Sequence, residues 1–197
     1  CLGALAFGML DRGESPGTEA FARAFASPRG WELLQERVAL LHCTTEYPAP
    51  VDEVNLRAMA AMREAFDLPV GYSDHTEGIV VPAAAAAREA AIIEKHFTLD
   101  RTLPGPDHKA SLEPQELAAM VRAVRDVELC LGHGRKVPGS GEAANRSVVR
   151  KSLVAAAPIA RGESFTGKNL TVKRPGTGAS PMQWWTYLGR AAERNYD

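Results

Sequence analysis

Apolar and polar positions along this chain follow a strand, loop, helix cycle that repeats three times. Val38-Ala39-Leu40-Leu41-His42-Cys43 is a short continuous apolar run, the pattern of a strand buried on both faces. A proline-marked loop follows through Pro50. Val51, Val54, Met59, Met62 and Phe66 then recur at steps of three to five, predicting a helix over residues 51–66 with Asp52 and Glu53 well placed in its first turn. Residues 70–73 predict a second strand, 74–78 a loop, and 79–90 an alanine-rich helix that tolerates Pro82 in its first turn. Residues 91–97 predict a third strand. After a long loop through Ser111, Pro114 opens a helix over 115–131 with the stripe Leu117, Met120, Val121, Val124, Val127 and Leu131. Upstream, residues 14–36 read as helix and polar connection, with Phe21, Phe25, Trp31 and Leu34 unevenly spaced.

Strand and helix in alternation indicate parallel β/α units with right-handed crossovers. Three such units do not close a barrel, and a three-stranded parallel sheet has raw edges. Residues 1–131 therefore read as part of a (β/α)₈ barrel or as a piece of a doubly wound sheet. Glycine and proline concentrate over residues 132–150, which reads as a linker. Beyond it, residues 152–156 and 170–173 look like short strands and 182–188 helical, so residues 151–197 read as a small β-rich second domain. The chain opens inside an apolar stretch without Met and ends with no clear closing element, which reads as a piece of a longer protein.

Composition narrows the function classes. Of 197 residues, 45% are hydrophobic and 24% charged, with a formal net charge of −1 and no charge run. That balance argues against a nucleic-acid partner. No apolar run approaches a membrane span, and residues 1–10 lack the basic start of a signal peptide. Cys1, Cys43 and Cys130 are widely spaced with no CxxC, as expected of reduced cytoplasmic thiols, with Cys43 ending a buried strand.

In parallel α/β architectures the site lies at the C-terminal ends of the strands. Those ends carry Thr44, Thr45, Glu46 and Tyr47, then Ser73, Asp74, His75 and Thr76, then Glu94, Lys95 and His96, with Asp107 and His108 in the following loop. His75 and His96 end successive strands, where two imidazoles could share a divalent Lewis-acid ion; local hydrogen bonding by each is the alternative. His42 reads as a satisfied core histidine and His133 as a linker residue. Asp74 is placed to orient a neighbour or, preferably, to cap the next helix. Glu94 and Lys95 alternate across the sheet, so only one shares the face of His96. Asp107 in Gly105-Pro106-Asp107 suits a turn. Lys173-Arg174-Pro175-Gly176 suits carboxylate, phosphate or amide recognition or an ordinary basic loop. Trp184 and Trp185 read as core or interface.

The motifs HCTTEYPAP (42–50), GYSDHT (71–76), EKHFTLDR (94–101) and PGPDHKASLEP (104–114), in this order, resemble the sialic acid synthase family. LTVKRPGTGASPM (170–182) resembles its antifreeze-like SAF domain. The resemblance runs from about Val38 onward; the earlier segment is similar to only a subset of relatives. It implies the C-terminal part of a (β/α)₈ barrel followed by the SAF domain. It implies Mn²⁺ or Mg²⁺ on His75 and His96, polarising the open-chain aldehyde of an N-acetylated amino sugar while phosphoenolpyruvate attacks through C3. Thr45 and Ser73 match phosphate-contacting positions, although some relatives carry asparagine where Thr45 stands. Tyr47 and Asp107 match sugar-contacting positions. Arg174 matches an arginine that reaches the partner's barrel in a domain-swapped homodimer. The first five barrel strands of the family are outside this chain, so the chain alone is expected to be inactive and poorly folded.

The leading expectation is an N-acetylneuraminate synthase. Legionaminate or pseudaminate synthesis is the alternative, the motif around Thr45 and Glu46 favouring legionaminate over pseudaminate. Two other classes compete: a non-catalytic sugar-binding protein, and an aldolase using Lys95 as a Schiff base.

Overall fold

The computed structural model describes residues 1–11 and 13–197. The chain divides into two compact units, Cys1–Gly134 and Arg135–Asp197, each taken by itself below.

The first unit opens with three helices, α1 (Leu2–Leu10), α2 (Thr18–Ala26) and α3 (Pro28–Arg37). The residue 1–10 stretch is thus a helix. Ala6, Ala24, Leu34 and Leu68 form their shared core, flanked by Phe7, Trp31 and Val38. The α2–α3 corner is tight: Ser27 Oγ accepts from Gly30 N at 3.0 Å, and Pro28 takes the first helical position. A Cβ on Gly30 would lie 2.0 Å from the Ala24 carbonyl oxygen, so no side chain fits there.

Three strands follow, β1 (Leu40–Cys43), β2 (Val70–Asp74) and β3 (Ile93–Lys95). They are parallel, in the order β1-β2-β3. Helices α4 (Ala58–Phe66), α5 (Val80–Ala87) and α6 (Pro114–Leu131) connect or follow them. This is the α/β class expected, with three consecutive β/α units of the kind that build a (β/α)₈ barrel. Side chains alternate between sheet faces. On one face Val70 and Tyr72, with Leu40 and Ile93 beside them, pack against Val54, Met59, Val81 and Ala85. The register aligns Cys43 with Ser73 and Ser73 with Glu94 on the other face, where Cys43 and Glu94 are exposed. β1 is therefore half-buried rather than covered on both faces, and Cys43 does not end a buried strand.

The helix expected over 51–66 is two pieces. A 3₁₀ turn spans Val51–Glu53, Asn55 takes φ 47°, and α4 begins only at Ala58. Asparagine tolerates the left-handed region that ends a helix. The break carries Val54 into the core, 3% exposed, and presents its carbonyl to His42 Nε2 at 2.8 Å. α6 starts where Pro114 predicts, closed by a reciprocal cap between Glu113 and Glu116.

In the second unit, residues 140–149, expected within a linker, form helix α7 (Ser140–Val149). Strands β4 (Ser152–Ala155) and β5 (Leu170–Lys173) pair antiparallel. Ile159, Phe165, Leu170 and Ala192 make the core, with Trp184 of the short helix α8 (Trp184–Tyr187) packed against it. Trp185 is 81% exposed and does not belong to that core.

Candidate active site

The rim at the C-terminal ends of β1–β3 gathers most of the residues singled out in the sequence. Each histidine is fixed through its main chain. The His75 carbonyl accepts from Ala49 N at 2.9 Å and the His96 carbonyl from Leu112 N at 3.0 Å. Their rings stand 5.0 Å apart, centroid to centroid, nearly perpendicular. Tyr47 lies against both, its ring 5.3 Å from His75 and 4.3 Å from His96. The Tyr47 hydroxyl donates to the Asp107 carbonyl at 3.1 Å and lies 3.1 Å from Ser111 Oγ. The Asp107 carboxylate is 3.9 Å from His96 Nδ1. Asp107 is thus more than a turn residue: its carbonyl anchors Tyr47 and its side chain faces His96. Ser73 is 6% exposed and donates through Oγ to Glu94 at 2.6 Å. Thr45 sits exposed in the loop behind β1.

Two neighbours of the pair were not singled out as site residues. Cys43 Sγ is 3.8 Å from both ring nitrogens of His75. Glu94 is the residue of the Glu94-Lys95 pair that shares the face of His96, as strand alternation requires two positions earlier. Lys95 is on the opposite, helix-covered face. Its ammonium meets the Asp74 carboxylate at 2.7 Å, with the two side chains 3% and 0% exposed. This corrects two expectations. Asp74 caps no helix, because α5 has Ile79 at its N-cap; it binds Lys95 and Thr76 instead. Lys95, charge-paired and turned away from the rim, is not presented as a Schiff-base nucleophile. Among the remaining histidines, His42 is bonded to Val54 as a core residue, and His108 Nδ1 is 2.8 Å from Thr98 Oγ1. Arg174 belongs to the second unit, where its Nε donates to the Val149 carbonyl at 2.9 Å.

Among the described residues no group of three or more His, Cys, Asp or Glu is arranged to hold a metal ion. The His75–His96 pair could supply two imidazole donors, with the Asp107 carboxylate beyond. Imidazole nitrogens suit a first-row transition-metal ion better than Mg²⁺, which prefers an all-oxygen shell, and two protein donors leave positions for water and substrate oxygens. No helix among the described residues is long and apolar enough to cross a membrane.

Parallel β/α units that deliver polar clusters to one rim define a protein of the barrel-forming α/β class, with its candidate chemistry at the strand ends. The chain belongs to the NeuB family, which residues 6–136 match, and residues 150–195 match the SAF domain. It is 52% identical over 162 residues to the N,N'-diacetyllegionaminic acid synthase of Campylobacter jejuni, covering 82% of this chain and 48% of that protein. It is 44% identical over 162 residues to the enzyme of the same name from Legionella pneumophila, covering 82% and 46%. Among solved structures it is similar to the N-acetylneuraminic acid (sialic acid) synthetase of Leptospira borgpetersenii in complex with citrate. That match has a TM-score of 0.55 and 34% identity, and covers 72% of this chain and 51% of that one. The chain thus spans about half the length of the curated relatives it matches.

Proposed function

We propose that the protein carrying this chain is a phosphoenolpyruvate-dependent nonulosonate synthase whose acceptor is a di-N-acetylated amino sugar of the legionaminate type. The observation that carries the reading is the meeting of His75, His96, Tyr47 and Asp107 on one rim of a NeuB-family chain. The acceptor follows from the two relatives at 52% and 44% identity, both named for N,N'-diacetyllegionaminic acid. This displaces the leading expectation of an N-acetylneuraminate synthase in favour of its legionaminate alternative. N-acetylmannosamine remains the second reading, favoured by the likeness to the sialic acid synthetase structure.

In this reading His75 and His96 would hold a divalent ion, Mn²⁺ or Mg²⁺, whose contribution when bound would be Lewis-acid polarisation of the sugar aldehyde. Tyr47 and Asp107 orient the sugar beside the two imidazoles, and Ser73 and Thr45 contact phosphate. C3 of phosphoenolpyruvate bonds to the aldehyde carbon, water adds at C2, and the C2–O bond to phosphate breaks. Holding two substrates in register supplies much of the acceleration in such condensations. Arg174 of a second copy, in a domain-swapped homodimer, would address the acetamido group of the acceptor, as an arginine fork can.

The test is steady-state phosphate release by the full-length protein with each acceptor in turn. Because a site built to bond an extra amide rejects an acceptor lacking it, kcat/KM for the di-N-acetylated sugar is expected to exceed that for N-acetylmannosamine at least about tenfold. The reverse ratio would establish the second reading, and no turnover with any N-acetylated amino sugar would end both.

A further inference from the structure

Beside the two histidines lies a buried polar network that the chemistry above does not use. The Asp74 carboxylate and the Lys95 ammonium meet at 2.7 Å, almost wholly out of solvent. The other Asp74 oxygen accepts from Thr76 N at 2.9 Å and Thr76 Oγ1 at 2.8 Å, and the Lys95 ammonium also donates to the Thr76 carbonyl. The network therefore holds residues 74 and 76, on either side of His75, and residue 95, immediately before His96. With the Ala49 and Leu112 amides on the two histidine carbonyls, each imidazole springs from backbone fixed on both sides.

Stability alone gives no reason for this arrangement. Desolvation of a buried ion pair roughly cancels its attraction, so an apolar pair of similar volume is often as stable or more so. Directional bonds between β2 and β3, one residue before each imidazole, instead fix the lateral separation of the strand ends. We propose that Asp74, Lys95 and Thr76 form a positioning device that sets His75 and His96 at the spacing needed to share one divalent ion. The inference rests on the reading that those two histidines bind such an ion. None of the three takes part in the proposed chemistry directly; they act through the backbone of the histidines.

The test is Mn²⁺ titration of the full-length protein, followed by the electron paramagnetic resonance of free Mn²⁺, alongside thermal unfolding. The variants are His75→Ala, the apolar double variant Asp74→Leu/Lys95→Met, and Thr76→Val. His75→Ala is expected to abolish tight binding. The double variant is expected to unfold cooperatively at or above the wild-type temperature, yet to bind Mn²⁺ about tenfold or more weakly, the range seen when outer supports of a metal site are removed. Thr76→Val, close in shape and leaving both charges in place, is expected to weaken binding severalfold, and it carries the test if the double variant does not fold. Wild-type affinity in a folded double variant, or in Thr76→Val, overturns the proposal and leaves the pair as scaffold only. Mn²⁺ binding that is absent in the wild type, or undiminished in His75→Ala, overturns the underlying metal reading and the positioning role with it.

Discussion

Tyr72 shows how one residue can be half legible. Its place in an apolar strand marks it as core, and it is fully buried against Met59 and Val81. What the strand pattern did not reveal is that its hydroxyl makes no hydrogen bond of full geometry among the described residues and has the Asp74 carboxylate as its polar company. Burial pushes the phenol well above its ordinary pKa, and the Asp74 carboxylate pushes it further, by its charge and by a hydrogen bond. It therefore stays neutral, with a desolvation cost that Asp74 offsets only in part. Tyr72→Phe is expected to raise stability to urea by about 1 kcal/mol; a loss of that size would show that the hydroxyl is satisfied. The same strand shows why the ion pair was missed. Asp74 and Lys95 lie 21 residues apart, and only the β2–β3 register brings them together. The placement of Glu94 with His96, by contrast, follows from alternation within one strand.

At the scale of elements, segments with a single clear period were read well and composite ones were not. α6 begins at Pro114 as predicted; of its predicted stripe Met120 is buried, Leu117, Val124 and Val127 are half-buried, and Val121 and Leu131 are exposed. The 51–66 pattern fused a 3₁₀ turn and a helix, because Val54 kept the apolar spacing across the break at Asn55. α7 was hidden by its flanking glycines: Gly139 is its N-cap, and Glu142 reaches back to the Gly139 amide at 2.9 Å. The start of α6 also makes a pH-dependent prediction. The Glu113 backbone amide, and then the Arg101 guanidinium, hold the Glu116 carboxyl below its ordinary pKa. A carboxyl depressed in the folded state contributes stability above its unfolded value, about 4.3, and loses it as pH falls through the lower folded value. Melting temperatures of the wild type and Glu116→Gln should differ at neutral pH and converge under acid; parallel curves would contradict this role.

For the whole molecule, the α/β class, the parallel order of the first three strands and the strand pair of the second unit were legible because burial period and turn residues agree along most of the chain; that second unit carries more helix than strand. The acceptor was less so: the motifs that mark the family set N-acetylneuraminate and legionaminate apart from pseudaminate but not from each other, and the likeness over 162 residues to legionaminic acid synthases shifts the preference. The central claim is that the rim of β2 and β3 is the metal- and sugar-holding side of a phosphoenolpyruvate-dependent site. Its most direct measurement is phosphate release from phosphoenolpyruvate by the full-length protein, with and without an N-acetylated amino sugar and Mn²⁺, in the wild type and in His75→Ala and His96→Ala. Release is expected only when sugar and ion are both present, and to fall at least about 100-fold in either variant, since a Lewis acid contributes several kcal/mol to such a step. Release that persists at the wild-type rate in both folded variants would contradict the account.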